Sequence, residues 1–358
     1  MDDPNSSRSV TGRGSSGNPR NRFERIEVEP DPVATDEEPR PETVYLRDHS
    51  RSIIARNDSP DIGFDASINP YRGCSHGCVY CYARPTHEYL GLSAGLDFES
   101  KVLVKLDAPE LLRRQLTSPR WEPKVLSMSG VTDPYQPVEK RLCITRRCLG
   151  VLAEFRNPVA IVTKNHLVTR DIDLLCELAQ HDAAVVAVSL TTLDDELRRV
   201  MEPRTSRPVR RLAAIEKLAG AGIPVGVMTA PVIPGITDHE LPNLISAAAE
   251  AGAAFAAYTP VRLPGAVGPI FEDWLSRHFP DRKEKVLNRI RSMRAGRLND
   301  PGFGSRMRGE GIVADHIAQL FDISCRRAGI ERGRFPKLST AAFRREGQPS
   351  LFDGENRT

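Results

Sequence analysis

An α/β fold, built on a parallel sheet with crossover helices, is what this 358-residue chain predicts, on three observations. Short apolar runs rich in β-branched residues recur through its middle, helix-period stretches separate them, and a cysteine-rich loop follows the first run directly. Such alternation of strand and helix signals gives parallel strands joined by helices, because a parallel neighbour needs a long return connection.

Taken in order, the strands are expected at 65–69, 124–128, 159–163, 184–189, 225–230 and 255–259. Segments such as Val159-Ala-Ile-Val-Thr163 and Ala184-Val-Val-Ala-Val-Ser189 are short apolar runs rich in β-branched residues, expected in a parallel sheet with crossover helices on one side. Helices are expected at 108–116, ahead of the second strand, and then at 145–156, 169–180, 208–221 and 239–251. Six strand units of this kind fit one catalytic domain, since single α/β barrels run to 200 residues or more.

The ends differ in character. Residues 1–42 carry ten acids against six arginines and almost no aliphatic side chains, too little apolar area to offset the entropy of ordering, so 1–43 is expected to be a disordered tail. The domain plan is then a core over 44–270, a basic helical extension over 271–335 and a flexible tail over 336–358. Residues 282–345 hold sixteen Lys or Arg against six acids; they face either a phosphate backbone or solvent as ordinary helix surfaces. No run of eighteen apolar residues and no signal-peptide pattern is present, so no membrane span and a cytoplasmic location are expected. Seven scattered cysteines suit a reducing compartment better than a disulfide framework.

The chemistry concentrates in Asn69-Pro-Tyr-Arg-Gly-Cys-Ser-His-Gly-Cys-Val-Tyr-Cys81. Cys74, Cys78 and Cys81 form a C-x3-C-x2-C set with Tyr80 just before the last cysteine. Three thiolates leave one iron of a four-iron, four-sulfur (4Fe-4S) cluster without a protein ligand, the open position that chemistry requires. A zinc site completed by His76 or His87 is the competing account. Cys143, Cys148, Cys176 and Cys325 lie too scattered to supply the second ligand pair usual in zinc modules, so the spacing favours iron and sulfur.

This spacing and the Tyr80 placement resemble the radical S-adenosylmethionine (SAM) superfamily. The stretches from Ala55 through Glu99 and Thr132-Asp-Pro-Tyr-Gln-Pro137 look like a bacterial branch near the spore photoproduct lyase group, with coverage of about residues 44–330. The resemblance implies a partial (β/α)6 TIM-like barrel with its reactive centre at the carboxyl ends of the strands. It implies a 4Fe-4S cluster and SAM as cofactors, one-electron cleavage of SAM, and hydrogen abstraction from a substrate by the 5′-deoxyadenosyl radical. The metal-binding, and therefore catalytic, residues would be Cys74, Cys78 and Cys81, and an electron donor such as flavodoxin or ferredoxin is implied as a partner.

Other positions carry over one at a time. The backbone around Tyr80 would touch adenine; Ser129, Gly130 or Thr132 would meet the methionyl ammonium, in a segment lacking the common Gly-Gly-Glu form. Lys164 and Ser189 look like the pair that contacts the SAM carboxylate and ribose. Gly235 lies in the turn beside adenine, and Glu202 and Arg204 would orient the sulfonium end. Each has a plain alternative, Lys164 as a solvated loop lysine and Ser189 as a helix cap. Asp133 and Glu139 suit acid–base work or, equally, a turn and a helix start. The lyase group returns hydrogen from a cysteine placed just before its Ser-Asp pair. Here Met128, Ser129 and Gly130 precede Thr132-Asp133, so identical lyase chemistry would need Cys143, Cys148 or a tyrosine as substitute.

Near the carboxyl end, Gln348-Pro-Ser-Leu-Phe352 is similar to the Gln-x-x-Leu-Phe peptide by which bacterial DNA polymerases and repair proteins bind the sliding clamp. With the basic window just upstream, this makes nucleic acid, DNA above all, the expected substrate class. RNA or protein modification, or a non-catalytic iron–sulfur or zinc module binding nucleic acid, are the alternatives.

Overall fold

The six expected strands form in the expected order and constitute the spine of one large sheet. The structure is a computed structural model and describes residues 10–24, 42–333 and 335–345. Its strands are β1 (Val44–Arg47), β2 (Ile54–Arg56), β3 (Ala66–Ile68), β4 (Tyr71–Arg72), β5 (Lys101–Val104), β6 (Leu126–Met128), β7 (Val159–Thr163), β8 (Ala184–Ser189), β9 (Val225–Val232), β10 (Phe255–Pro260) and β11 (Glu331–Arg332). The large sheet runs β11-β10-β9-β8-β7-β6-β3-β2, parallel throughout except at the β2–β3 pair. A second sheet, β1-β5-β4, carries the chain on either side of the cysteine loop.

Strand alternation sorts the side chains of β7 and β8 onto two faces. Val159 and Ile161, with Val186 and Val188, join the main core together with Leu149, Leu152, Leu175 and Ile215 from the crossover helices. Ala160, Val162, Val185 and Ala187 pack instead with Phe255 and Met228 on the opposite, inner face. Continuing the same alternation, Lys164 and Ser189 belong to the inner face at the carboxyl ends of these strands. The helices Ala108–Thr117, Ile144–Phe155, Ile172–Ala179, Pro208–Gly220 and Leu241–Glu250 reproduce the expected set to within a turn.

Two expectations about the ends are corrected. Residues 10–24 are not a free tail: Arg13 and Ser15 are buried, and the segment lies along the stretch that follows the cysteines. Its apolar content is small, as the composition says, but backbone hydrogen bonds and the absence of side chains at Gly14 and at the facing Gly95 let it seat closely. The rest of that expected tail, 1–9 and 25–41, lies outside the described residues. Likewise 336–345 is docked: Leu338 packs on the inner-face cluster, Ser339 N donates to Asp182 O at 2.9 Å, and Arg344 N donates to Phe155 O at 3.0 Å. Phe343 sits against Phe155, with ring centroids 6.3 Å apart. These contacts place residues 339–345 at the amino-terminal ends of β7 and β8, opposite the cysteine loop. Gln348–Phe352 lies outside the described residues.

Part of the basic window is spent within the protein. Arg294 is buried and donates to the carbonyls of Pro260, Val261 and Arg306. Arg306 pairs with Asp61 at 2.5 Å, Arg332 with Asp322 at 2.6 Å, and Arg344 and Arg345 donate to the carbonyls of Glu154 and Trp121. No helix among the described residues is long and apolar enough to cross a membrane.

Candidate cofactor site

The cysteine loop begins two residues after β4 and is built on glycine conformations. Gly73 and Gly77 have φ of 80° and 70°, and a β-carbon at Gly77 would fall 2.6 Å from Glu99 Oε2. Neither turn tolerates a side chain. Cys74 N donates to Phe98 O at 2.9 Å and Val79 N to Met201 O at 3.1 Å, so the loop is pinned on both sides.

Its rear brace is a buried ion pair. Arg84 and Glu99 are both fully buried and 2.5 Å apart. Arg84 also donates to the carbonyls of Cys78, Ala94 and Gly95, while Glu99 accepts the amides of Gly14 and Ser15 at 3.0 and 2.9 Å. A buried carboxylate is tolerable only when its lone pairs are so occupied. The amino-terminal segment thereby closes the outside of the loop; a β-carbon at Gly14 would sit 1.8 Å from Gly77 O.

Cys74, Cys78 and Cys81 are free thiols, the first two buried. Burial pushes the Cys78 thiol well up and the Cys81 thiol to about 11. A desolvated thiol ionises readily only when a cation faces it, as metal ligation provides. Among the described residues no three His, Cys, Asp or Glu side chains converge on a point where one ion would touch them all, which a zinc tetrahedron demands. A cubane takes its cysteines on separate irons and imposes no such convergence. The two histidines of the zinc alternative have further partners. His87 Nε2 lies 2.9 Å from Lys101 O, and His76 Nδ1 lies 3.4 Å from Asp133 Oδ2. Burial alone would lower the His76 imidazole, but the Asp133 carboxylate and the Cys74 sulfur together outweigh it and raise the group to about 10. The residue set therefore fits a three-thiolate cluster.

Facing the loop, the inner-face ends of β7, β8 and β9 assemble a polar group. Lys164 Nζ donates to Ser189 Oγ at 2.5 Å and to Ala230 O at 3.2 Å, and lies 5.8 Å from the Tyr80 ring centroid. It is 3.7 Å from Glu202 Oε1. Glu202 accepts hydrogen bonds from the Tyr80 hydroxyl, from Thr191 Oγ1 at 2.6 Å and from Arg211. Burial opposes its ionisation, yet Arg211 and Lys164 overcome this and hold the carboxyl down at about 2. Tyr80 is correspondingly raised by burial and by the Glu202 charge. Lys164 is thus neither a solvated loop lysine nor unpaired, and its 13% side-chain exposure leaves one approach open.

The remaining expected residues fall into two sets. Ser129, at φ 132°, accepts from Val162 N at 3.3 Å, and Gly130 O accepts from the Tyr82 hydroxyl at 2.7 Å. Both therefore lie at the carboxyl end of β6, beside the residue that follows Cys81. Gly235 turns the chain after β9 at φ 85°, with its amide on Asp238 Oδ1. Arg204 departs from the expected role: its guanidinium donates to Gly12 O at 3.1 Å and Thr43 Oγ1 at 3.2 Å, holding the amino-terminal segment. Its backbone amide bonds His76 O at 3.2 Å. Asp133 is a brace that accepts from Thr163 Oγ1, Lys164 N and Tyr135 N. Glu139 is a core acid bonded by Tyr71 and Arg170. Arg84, Glu99 and Arg211 were not expected from sequence, since nothing in a lone Arg or Glu reveals a buried partner.

The family described as the radical SAM superfamily matches residues 68–248. An uncharacterized protein of Mycobacterium tuberculosis is 39% identical over 281 residues, 78% of this chain and 79% of that protein. A radical SAM Nalpha-GlyT isomerase of Pseudomonas phage M6 is 26% identical over 173 residues, 48% of this chain and 34% of that protein. Among solved structures, a spore photoproduct lyase with bound AdoMet and dinucleoside spore photoproduct aligns with a TM-score of 0.57 at 17% identity, over 82% of each chain. At that identity the likeness is one of fold.

Proposed function

We propose that this chain, which belongs to the radical SAM superfamily, acts on DNA in a repair-like reaction related to that of the spore photoproduct lyases. Members of the superfamily use a 4Fe-4S cluster and SAM, and the chain is a radical SAM protein with the corresponding mixed α/β fold. When bound, that pair supplies one-electron cleavage of SAM and abstraction of a substrate hydrogen.

The residues then divide the work. Cys74, Cys78 and Cys81 hold the cluster, and Arg84 and Glu99 hold the loop. Lys164 offers its ammonium to the SAM carboxylate, Ser189 its hydroxyl to the ribose, and Tyr80, Ser129, Gly130 and Gly235 line the remainder. The Arg204 side chain acts through the amino-terminal segment, while its backbone amide holds the His76 carbonyl of the loop. The observation that carries the reading is the Lys164–Ser189–Glu202 set on the inner face opposite Tyr80, which a purely structural cluster would not need.

No thiol stands before Thr132-Asp133. Cys148 is fully buried in the core, and Cys143 lies against Arg170 and Lys140. Tyr82, whose hydroxyl reaches Gly130 O, is the remaining hydrogen donor at that place. Tyr82→Phe would then form 5′-deoxyadenosine but no repaired product, and full product formation by that variant would remove the role.

A cytoplasmic enzyme reduced by flavodoxin or ferredoxin, and recruited to DNA through clamp binding by Gln348–Phe352, completes the proposal. The test is anaerobic reconstitution with iron and sulfide, then SAM, dithionite and lesion-bearing oligonucleotides, with 5′-deoxyadenosine and altered bases read by mass-resolved chromatography. Base alteration that depends on Cys78 supports the reading. Formation of 5′-deoxyadenosine with every DNA lesion left untouched would move the substrate to RNA or protein.

A further inference from the structure

Among the described residues the sheet does not close on itself: β2 and β11 are its edges, and two contacts reach across the side left open. Arg306 donates to Asp61 and Ser59 in the β2–β3 connection, and Gly304 N donates to Asp61 Oδ1 at 2.6 Å. Arg262, just past β10, lays its guanidinium 5.0 Å from the ring centroid of Tyr82, the residue after Cys81.

The two arginines differ in one respect. Arg306 is satisfied by Asp61, whereas the partly buried Arg262 guanidinium has no hydrogen bond or ion pair among the described residues beyond its contact with Tyr82. Its nitrogens are not among the buried atoms that lack a partner, so they still reach solvent, and the planar fork is free to take the oxygens of an arriving anion. The backbone that carries it is also held in place. Arg294, fully buried, clamps the carbonyls of Pro260 and Val261, immediately before Arg262, and that of Arg306. Two aromatic rings accompany these cations. Tyr82 is 47% and Phe303 64% exposed, and Arg306 lies 4.6 Å over the Phe303 ring. Large exposed rings interleaved with arginine, beside a reactive loop, present what a single strand requires: a fork for phosphate oxygens and a flat face for a base.

We propose that Arg262, positioned by Tyr82 and Arg294, binds one phosphate of a single-stranded or extruded nucleotide at the open side of the barrel, and that Phe303 stacks on a neighbouring base. This rests on the nucleic-acid reading above and assigns it a surface.

The test is fluorescence anisotropy of a fluorescein-labelled oligothymidylate of about 12 nucleotides, titrated at several salt concentrations with the full-length, cluster-loaded protein and SAM. Cluster absorbance verifies that each variant is intact. Arg262→Gln should lower the slope of log affinity against log salt by about 0.7, one phosphate contact on a single strand. Phe303→Ala, at an exposed ring whose loss unseats no core, should weaken binding about five- to hundredfold with the slope unchanged. Arg262→Lys should keep the slope while losing affinity, because a point charge cannot fork. Variants that bind like the wild type overturn this site and leave the nucleic-acid reading standing. A wild type that does not bind the oligomer overturns the reading and the site together.

Discussion

The Lys164 ammonium donates a 2.5 Å hydrogen bond to the Ser189 hydroxyl, joining consecutive strands on the inner face of the sheet. Neither side chain has a hydrogen bond to the cysteine loop among the described residues. Lys164→Ala is therefore expected to lower 5′-deoxyadenosine formation by about a hundredfold or more, the scale of a lost positioning cation. Iron content and the brown cluster absorbance should stay unchanged. A variant that cannot be loaded with iron would contradict the division of roles.

Glu202 gives a pH signature. Its folded carboxyl sits near 2, below its ordinary value of 4.5, so its stabilisation is complete above about 4.5 and fades as pH falls toward 2. Glu202→Gln leaves Arg211 buried without a charge partner and should cost roughly 3–5 kcal/mol at pH 7. The difference in Tm between wild type and variant should shrink between pH 5 and pH 3, on the order of the titration window. A difference constant over that range would mean the Glu202 charge is not what stabilises.

Gly14 tests the amino-terminal closure. A methyl group there meets the Gly77 carbonyl, so Gly14→Ala must displace the segment from Glu99, a strain of about 1–3 kcal/mol. The expected result is faster loss of cluster iron to a chelator or to oxygen, measured by the decay of absorbance. Unchanged decay would show that the segment does not guard the loop.

The carboxyl end is tested separately. Leu351→Ala with Phe352→Ala should abolish co-elution with a purified sliding clamp and leave 5′-deoxyadenosine formation intact. Retained co-elution would place clamp contact elsewhere or remove it.

Much of this architecture was legible in the chain because its signals are local. The runs 159–163 and 184–189 coincide with β7 and β8 to the residue, since a short apolar run rich in branched residues declares a strand within a few positions. The cysteine triad and the Lys164 and Ser189 ends could be placed for the same reason. Only the tertiary structure decided the rest. The fate of 10–24 depended on Glu99, some 85 residues away, and on which glycines would lie against which carbonyls. Arg204, Arg211, Arg294 and Arg262 are indistinguishable as letters. One holds a segment, one neutralises Glu202, one clamps carbonyls and one is left without an acceptor, and what separates them is desolvation and the distance to a partner, which the folded chain sets and no local pattern encodes.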